Sequence, residues 1–139
     1  MKDKILVVEK TASASRIGHV LDELGLYTHV HISGVEQKHP VDGILRVFDY
    51  RHERAEIKLD EYVVALLDGI LFGHVHVWEL IPVLKAEGIE CVGISNMFWD
   101  LLQRSGATVS ADRLSVHAYL RKDLPAIYAA ARERKLIRV

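Results

Sequence analysis

A single carboxylate interrupts a nearly unbroken apolar stretch of the chain. Asp68 follows YVVALL and precedes GILFG in the segment from Tyr62 to Gly73. Moving an unpaired carboxylate into an apolar core is costly, so we expect Asp68 to lie at an edge of the core. If the apolar run is a buried strand, Asp68 lies at its C-terminal edge, where α/β sheets bind their ligands. Its chemistry then depends on the side chains that meet it there.

Three other residues with charged or hydroxyl side chains lie at or just after the ends of predicted strands. They are Glu9, Ser95 and Lys122. Right-handed crossovers between parallel strands bring the C-terminal strand ends to one edge of a sheet. With Asp68, these residues would place two carboxylates, a hydroxyl and an ammonium group at that edge. Carboxylates can act as nucleophiles or bind a hard cation, and an ammonium group can offset negative charge.

Short apolar runs predict the strands that would position this group. They are Lys4 to Glu9, Thr28 to Ser33, Tyr62 to Leu67, Glu90 to Ser95 and Val116 to Arg121. The first is rich in Val and Ile, which is typical of a strand buried on both faces. The second, THVHIS, is more polar, which favours a place near the edge of the sheet.

Helical patterns separate these strands. Ile17, Val20, Leu21 and Leu24 repeat with helical spacing, and Gly25 can end that helix. Further helices are predicted over Trp78 to Glu87, over FWDLLQRS and from Pro125 onward. Alternating strands and helices predict an α/β fold with a parallel sheet covered on both faces.

Two segments fit this alternation poorly. Pro82 falls inside the helix after the third strand, where a proline is expected to kink it. Residues 34–61 are longer than one crossover helix requires. In that segment Val41, Ile44, Leu45 and Phe48 have helical spacing, whereas the charged DYRHERAEIKLDE has no clear pattern.

The strand ends resemble those of the response-regulator receiver domains of two-component signalling, over nearly the whole chain. In that family the first strand ends as ILVVDD, and here it is ILVVEK; the third ends in an aspartate, matched by Asp68 in LLDGILFG, although Phe72 stands where the family has proline. The fourth ends in Thr or Ser, matched by Ser95 in GISN. The fifth carries an aromatic residue three positions before a lysine, matched by Tyr119 and Lys122 in YLRK.

The resemblance implies a flavodoxin-like fold and a role for each matching residue. The fold would be one domain over residues 1–139, with a five-stranded parallel sheet of order 2-1-3-4-5 and an extended segment at about 34–61. Asp68 would be the phosphoacceptor and a ligand of Mg²⁺, together with Glu9 and the backbone carbonyl of Ile70. Ser95 and Lys122 would contact the phosphoryl group, and Tyr119 would be the rotating aromatic residue of the output face.

Lys10 departs from the family pattern at a position that matters for Mg²⁺. It stands where receivers have their second acidic residue, and an ammonium group cannot ligate a metal ion. At ~4 Å from Asp68 it would attract the carboxylate by about 4 kcal/mol at an effective dielectric constant of 20, before desolvation. The site would then resemble a pseudo-receiver with weakened or absent Mg²⁺ binding. Lys10 could instead turn toward solvent on its flexible stem.

A second register exists for the fifth strand. In it, GATVS is the strand and RLSVHAYLRKDL is helical, which would remove Tyr119 and Lys122 from the site. We favour a strand at Val116 to Arg121, because Pro125 should break the longer helix.

Composition and the remaining motifs exclude several classes of protein. The net charge is −1, and no basic block suggests nucleic acid as a partner. Cys91 is the single cysteine, no run is long enough for a membrane span, and no signal peptide is evident. These features predict a cytoplasmic protein. His29 and His31 share a strand face, and His74 and His76 also alternate, but neither pair has an identifiable third ligand for zinc.

Three functions follow from these patterns. The first is a stand-alone receiver, not an enzyme beyond self-phosphorylation and dephosphorylation at Asp68. Its partners would be a histidine kinase or another signalling protein, and it would dock or homodimerise through the face formed by the fourth helix, fifth strand and fifth helix. The second is a phosphorylation-independent interaction module. The third is a flavodoxin-like domain that binds a small ligand, although EKTASASR contains no glycine-rich phosphate loop.

Overall fold

A computed structural model describes residues 3–9, 13–25, 28–68, 75–94, 99–109 and 116–137. In chain order the strands are β1 (Lys4–Val8), β2 (Thr28–Val35), β3 (Ile44–Asp49), β4 (Arg54–Lys58), β5 (Tyr62–Leu67), β6 (Glu90–Gly93) and β7 (Thr108–Val109). The helices are α1 (Ser13–Leu24), α2 (Val77–Ala86), α3 (Trp99–Arg104) and α4 (Val116–Ile137), and a 3-10 turn covers Leu59–Glu61. None of the described helices is long and apolar enough to cross a membrane.

The described strands form one sheet of order β4-β3-β2-β1-β5-β6-β7. Five neighbouring strands of this sheet pair in parallel, in the order β2, β1, β5, β6 and β7. Val8 of β1 lies opposite Ile32 of β2 and Leu67 of β5. This is the predicted order 2-1-3-4-5, and the flavodoxin-like α/β class is confirmed. Two additional antiparallel strands extend the sheet beyond β2.

The two extra strands account for residues 34–61, whose structure the sequence left open. Val41, Ile44, Leu45 and Phe48 have helical spacing, but β3 and β4 form an antiparallel hairpin. Alternation explains the difference, because Leu45, Val47 and Ile57 are buried whereas Arg46, Arg54 and Glu56 are exposed. The period of two is that of a strand with one buried face. β2 is therefore not at the edge of the sheet, although its polar sequence favours an edge position.

Side-chain hydrogen bonds hold the turn of this hairpin against β2. The Asp49 carboxylate accepts hydrogen bonds from the backbone amides of Arg51 (2.8 Å) and Glu53 (3.1 Å). Buried Ser33 donates its hydroxyl proton to the Asp49 carbonyl oxygen (2.7 Å), and His52 Nδ1 lies 2.9 Å from the same hydroxyl. The hairpin is thus fixed to the parallel sheet by side chains as well as by its strand pairing.

The sheet separates two hydrophobic clusters, which explains why β1 is apolar at successive positions. Leu6 and Val8 belong to the cluster that also contains residues of α2, α3 and the hairpin. Ile5 and Val7 belong to the cluster with residues of α1 and α4. A strand covered on both faces has no polar face, so its sequence shows a continuous apolar run.

The C-terminal region follows the register that we had not favoured. β7 is Thr108–Val109 within GATVS, and Val116 to Arg121, predicted as the fifth strand, is the beginning of α4. Pro125 lies inside α4 and does not end it. Leu120, Leu124, Tyr128 and Ala131 form one buried face across the proline. Burying each large apolar side chain contributes about 1.5–3 kcal/mol, so together they outweigh the ~3 kcal/mol that an interior proline costs.

The other helix predictions agree with the structure. α1 covers the predicted apolar face, and the Gly25 amide donates to the Leu21 carbonyl (3.2 Å) with φ at +69°. α2 contains Pro82 without interruption, since Val77, Leu80, Ile81 and Leu84 remain buried on one face. Gly88, with φ at +77°, follows the end of α2 as expected.

Candidate functional site

Glu9 and Asp68 come together at the C-terminal edge of the parallel sheet. Val8, the last residue of β1, pairs with Leu67, the last residue of β5, and the two acids follow directly. The Asp68 amide donates to the Val8 carbonyl at 3.0 Å, and the Glu9 amide donates to the Ile32 carbonyl at 3.0 Å. Because neighbouring strands lie only ~5 Å apart, the backbone places two carboxylate-bearing residues side by side at this edge.

The two acids differ in their exposure to solvent. Glu9 is only 5 % exposed, whereas Asp68 is partly exposed. Asp68 is therefore the one that a solvent-borne reactant can reach more easily, and Glu9 supplies a buried carboxylate behind it. The position of Asp68 after β5 agrees with the expectation that it lies at an edge of the core.

Two described carboxylates would supply part of a Mg²⁺ site of the kind that the resemblance implies. Mg²⁺ prefers octahedral oxygen coordination and commonly uses one or two carboxylates with several waters. Glu9 and Asp68 could provide those carboxylates, which is compatible with the cation that the resemblance implies. Within the described ranges no group of three or more His, Cys, Asp or Glu side chains could hold a metal ion. Mg²⁺ bound here would therefore depend on water and backbone oxygens.

Three predicted site residues lie outside the described residues. They are Lys10, Ile70 and Ser95. Ser95 directly follows Ile94, whose amide donates to the Leu67 carbonyl at 2.9 Å, next to the end of β5. Their roles at the site remain predictions.

Lys122 and Tyr119 do not lie at the end of a strand, and this part of the prediction is wrong. Both belong to α4, where Lys122 is exposed. Tyr119 is half-buried against the cluster that includes α1 and α4, and burial raises the pKa of its hydroxyl. The residues that follow β7 in the sequence are Ser110 and Ala111, neither of which is a cation.

Two histidines of β2, which lie beneath α1, and an aspartate of α1 are connected by hydrogen bonds. His29 Nδ1 and His31 Nε2 of β2 are 3.0 Å apart, and His29 Nε2 is 2.9 Å from Asp22 Oδ1 on α1. The two imidazole centroids are 5.0 Å apart. The i, i+2 spacing showed that the histidines share a face, but the sequence did not indicate Asp22 as their partner.

The surroundings of these three side chains perturb the pKa values of two of them. Burial, followed by the nearby His29, lowers the pKa of His31, while the charges of Glu9 and Asp22 act in the opposite direction. The hydrogen bond from His29 is the largest cause that lowers the pKa of Asp22. Asp22 is therefore ionised at neutral pH and accepts the proton of His29 Nε2.

Comparisons with solved structures agree with this architecture. The sequence matches no protein-family model and no curated protein. The signal receiver domain of a LuxO repressor protein from Vibrio parahaemolyticus superposes with a TM-score of 0.62 at 12 % identity, covering 99 % of this chain and 98 % of that domain. Chemotaxis protein CheY4 from Vibrio cholerae has a TM-score of 0.56 at 15 % identity, covering 91 % of this chain and 99 % of its own.

A third similar structure is a pilus assembly-related protein from Burkholderia pseudomallei. Its TM-score is 0.57 at 18 % identity, with 92 % of this chain and 90 % of that chain covered. At such identities the likeness reports on the fold, and it extends over nearly the whole of each chain. With the parallel strand order and the acids at the ends of β1 and β5, it shows that this chain has the fold of a response-regulator receiver domain.

Proposed function

We propose that the chain is a receiver-like signalling domain that acts by docking to protein partners and does not require phosphorylation of Asp68. The observation that carries this proposal is the position of the fifth parallel strand. Because β7 is Thr108–Val109, Lys122 is not at its end, and Ser110 and Ala111 follow it in the sequence. Neither residue is a cation like the one that receivers carry there, and the first cation after β7 in the sequence is Arg113.

The identity of residue 10, a lysine, supports the same proposal by a separate argument from the sequence. Lys10 replaces the second acidic residue of the receiver pattern, which weakens the expected affinity for Mg²⁺. Phosphoryl transfer to an aspartate depends on cations that offset the charge of the transferred group. A site with one carboxylate fewer and no lysine after β7 would bind a phosphoryl donor poorly.

A docking surface would be formed by α3, β7 and α4, which correspond to the output face of the resembling family. Leu101 on α3 is 38 % exposed, which is unusual for a leucine in this chain. On α4, Lys122 is exposed, whereas Arg121 donates to Glu23 of α1 at 2.7 Å. The partner would be another signalling protein, such as a histidine kinase, or a second copy of the chain.

Phosphorylation of Asp68 is the second candidate function. It is favoured by the adjacent positions of Glu9 and Asp68 and by the partial exposure of Asp68. In that case Asp68 would attack the phosphorus atom of a phosphodonor, and Mg²⁺ would offset the charge on the phosphoryl oxygens. Glu9 would help to hold the cation beside Asp68.

Intact-mass measurement after incubation with acetyl phosphate and Mg²⁺ separates the two functions. The wild-type chain, Asp68→Asn, Lys10→Asp and the Lys10→Asp, Asp68→Asn double variant would be compared. Asp60→Asn is a matched control, because Asp60 is exposed in the turn before β5, at the opposite end of that strand. A receiver known to phosphorylate itself from acetyl phosphate would verify the conditions.

We expect no adduct on the wild-type chain, and an adduct on Lys10→Asp that Asp68→Asn removes would show that Lys10 alone disables the site. That result would identify a receiver fold with a disabled switch. An adduct on the wild type that Asp68→Asn abolishes and Asp60→Asn retains would refute the first proposal and support the second. Beryllofluoride binding, followed by amide chemical shifts, would detect an adduct too short-lived for mass measurement.

A further inference from the structure

Two polar contacts connect Asp22, His29 and His31. Asp22 of α1 is bonded to His29 of β2, whereas the bond between His29 and His31 lies within β2, beneath α1. Asp22 is on α1 and its side chain is 73 % exposed, whereas the His29 side chain is only 17 % exposed. His31 is half-buried directly below α1, because a Cβ atom built on Gly18 would lie 3.0 Å from His31 Cε1 and 3.1 Å from His31 Nε2. The two histidines therefore lie where α1 covers the sheet.

The number of protons on the two imidazoles determines whether their hydrogen bond can exist. A contact between two ring nitrogens requires one proton on one of them and a lone pair on the other. Since the ionised Asp22 accepts the proton of His29 Nε2, a neutral His29 has a bare Nδ1. A neutral His31 then makes the 3.0 Å bond by donating its Nε2 proton.

One additional proton preserves this bond, whereas two do not. The first can reside on His31 at Nδ1, or on His29, with the shared proton moving to the His29 side of the contact. In either case a single proton remains between His29 Nδ1 and His31 Nε2. When both rings are charged, two N–H groups face each other across this contact, and two positive charges lie at centroids 5.0 Å apart.

Among the residues that the structure describes, few other charged groups act on the pair or lie next to it. On α1 they are Asp22 and His19, whose charge acts on Asp22, and after β1 it is Glu9, whose charge acts on His31. On β3, Asp49 lies opposite Ile32, and its carboxylate accepts the amides of Arg51 and Glu53. The partly buried position of His31 further disfavours a second charge.

We propose that the His29–His31 pair is a pH-sensitive contact beneath α1. The helix stays packed on β2 while the pair carries at most one extra proton, and a second proton separates the rings and displaces α1 in spite of the Asp22–His29 ion pair. The proposal does not require phosphorylation of Asp68. Separation of the two rings would allow each of them to be hydrated. Displacement of α1 takes up one proton, so its equilibrium constant should rise by up to about tenfold for each unit by which the pH falls.

Two NMR measurements on the full chain test this proposal. The imidazole nitrogen shifts of His29 and His31 report the tautomer and charge of each ring, and amide exchange of α1 and β2 reports opening. EDTA would be present throughout, and a parallel sample would contain Zn²⁺. The variants are His31→Gln, which keeps a donor in place of Nε2 but cannot be charged, and the control His19→Gln, on an exposed histidine of the same helix.

At pH 8 we expect both rings to be neutral with the proton on Nε2. Between pH 7 and 5, the amides of α1 should lose protection in the wild type and in His19→Gln by about tenfold or more beyond intrinsic exchange. In His31→Gln the protection should change by less than about twofold, because no second charge can form in the pair.

Three results would overturn the proposal. The first is that both imidazolium forms appear while α1 keeps its protection. The second is an equal loss of protection in His31→Gln and the wild type. The third is a ring titration that Zn²⁺ suppresses at stoichiometric concentration, which would show that the pair binds a metal. The wild-type titration decides the first and third cases even if His31→Gln does not fold.

Discussion

Substituting Gly18 by alanine tests whether His31 is held as tightly under α1 as the structure indicates. In an exposed helical position this change would stabilise the chain, because alanine is about 1 kcal/mol more favourable than glycine within a helix. Here the added Cβ would lie 3.0 Å from His31 Cε1 and 3.1 Å from His31 Nε2. Carbon atoms prefer a separation of about 3.5–4.0 Å, so the ring or the helix would have to withdraw by roughly 0.5 Å or more.

The hydrogen bond to His29 resists this withdrawal. Overpacking a core by one methyl group costs about 1–3 kcal/mol. Combined with the gain of about 1 kcal/mol in helix propensity, the net effect of Gly18→Ala should be a loss of about 1 kcal/mol in the free energy of unfolding. For a chain of this size that corresponds to a decrease of roughly 3–5 °C in Tm.

A double-mutant cycle with His31→Ala isolates the contact. Without the imidazole, Gly18→Ala should stabilise the chain by about 1 kcal/mol through helix propensity alone. The sign of its effect should therefore reverse between the two backgrounds, with a coupling energy of about 2 kcal/mol. Chemical denaturation of the four proteins at pH 8 measures this directly. Equal stabilisation in both backgrounds would show that His31 does not lie against Gly18.

Three other predictions concern the register of α4, the buried thiol and an ion pair. Pro125→Ala should raise the free energy of unfolding by about 1–3 kcal/mol, because it restores an interior helix hydrogen bond; a proline at the first turn of a helix would instead make the substitution unfavourable. Burial raises the pKa of Cys91 to about 12, so a thiol reagent at pH 8 should label it far more slowly in the native chain than in denaturant, and equal rates would contradict its burial. Lys4 donates to Glu61 at 2.7 Å, and this hydrogen bond is the largest cause that lowers the pKa of Glu61 below its ordinary 4.5. The contribution of this pair to stability should be present above pH 4.5 and lost as the pH falls through the native pKa, and a pH series should show that Glu61→Gln removes it.

The sequence was most informative where a segment is buried on both sides or has one apolar face. β1 and β5 were predicted because continuous apolar runs of strand length have few other solutions in an α/β chain. The acids that follow them, Glu9 and Asp68, were then placed at the correct edge of the sheet. α1 and α2 were predicted from their periodicity and from the glycines after them, which depends only on local geometry.

The errors arose where local preference and tertiary burial oppose each other. Pro125 disfavours a helix by itself, but Leu120, Leu124 and Tyr128 bury a common face across it, and only the folded chain shows that this burial prevails. The spacing of Ile44, Leu45 and Phe48 fits a helix and a strand in a short window. The pairing of β3 with β2 decided in favour of the strand, since it supplies backbone hydrogen bonds that the sequence does not reveal.

The sequence by itself determined the α/β class and the position of two carboxylates at one edge, because both depend on short-range patterns of apolar and polar residues, and its resemblance to receivers implied the parallel order of the strands. Tertiary structure decided which residues accompany these carboxylates. It removed Lys122 and Tyr119 from the edge by placing them in α4, and it brought Asp22 and Gly18 of α1 against His29 and His31 of β2. Such contacts join residues far apart in the chain, and they are fixed only when a helix packs on a sheet.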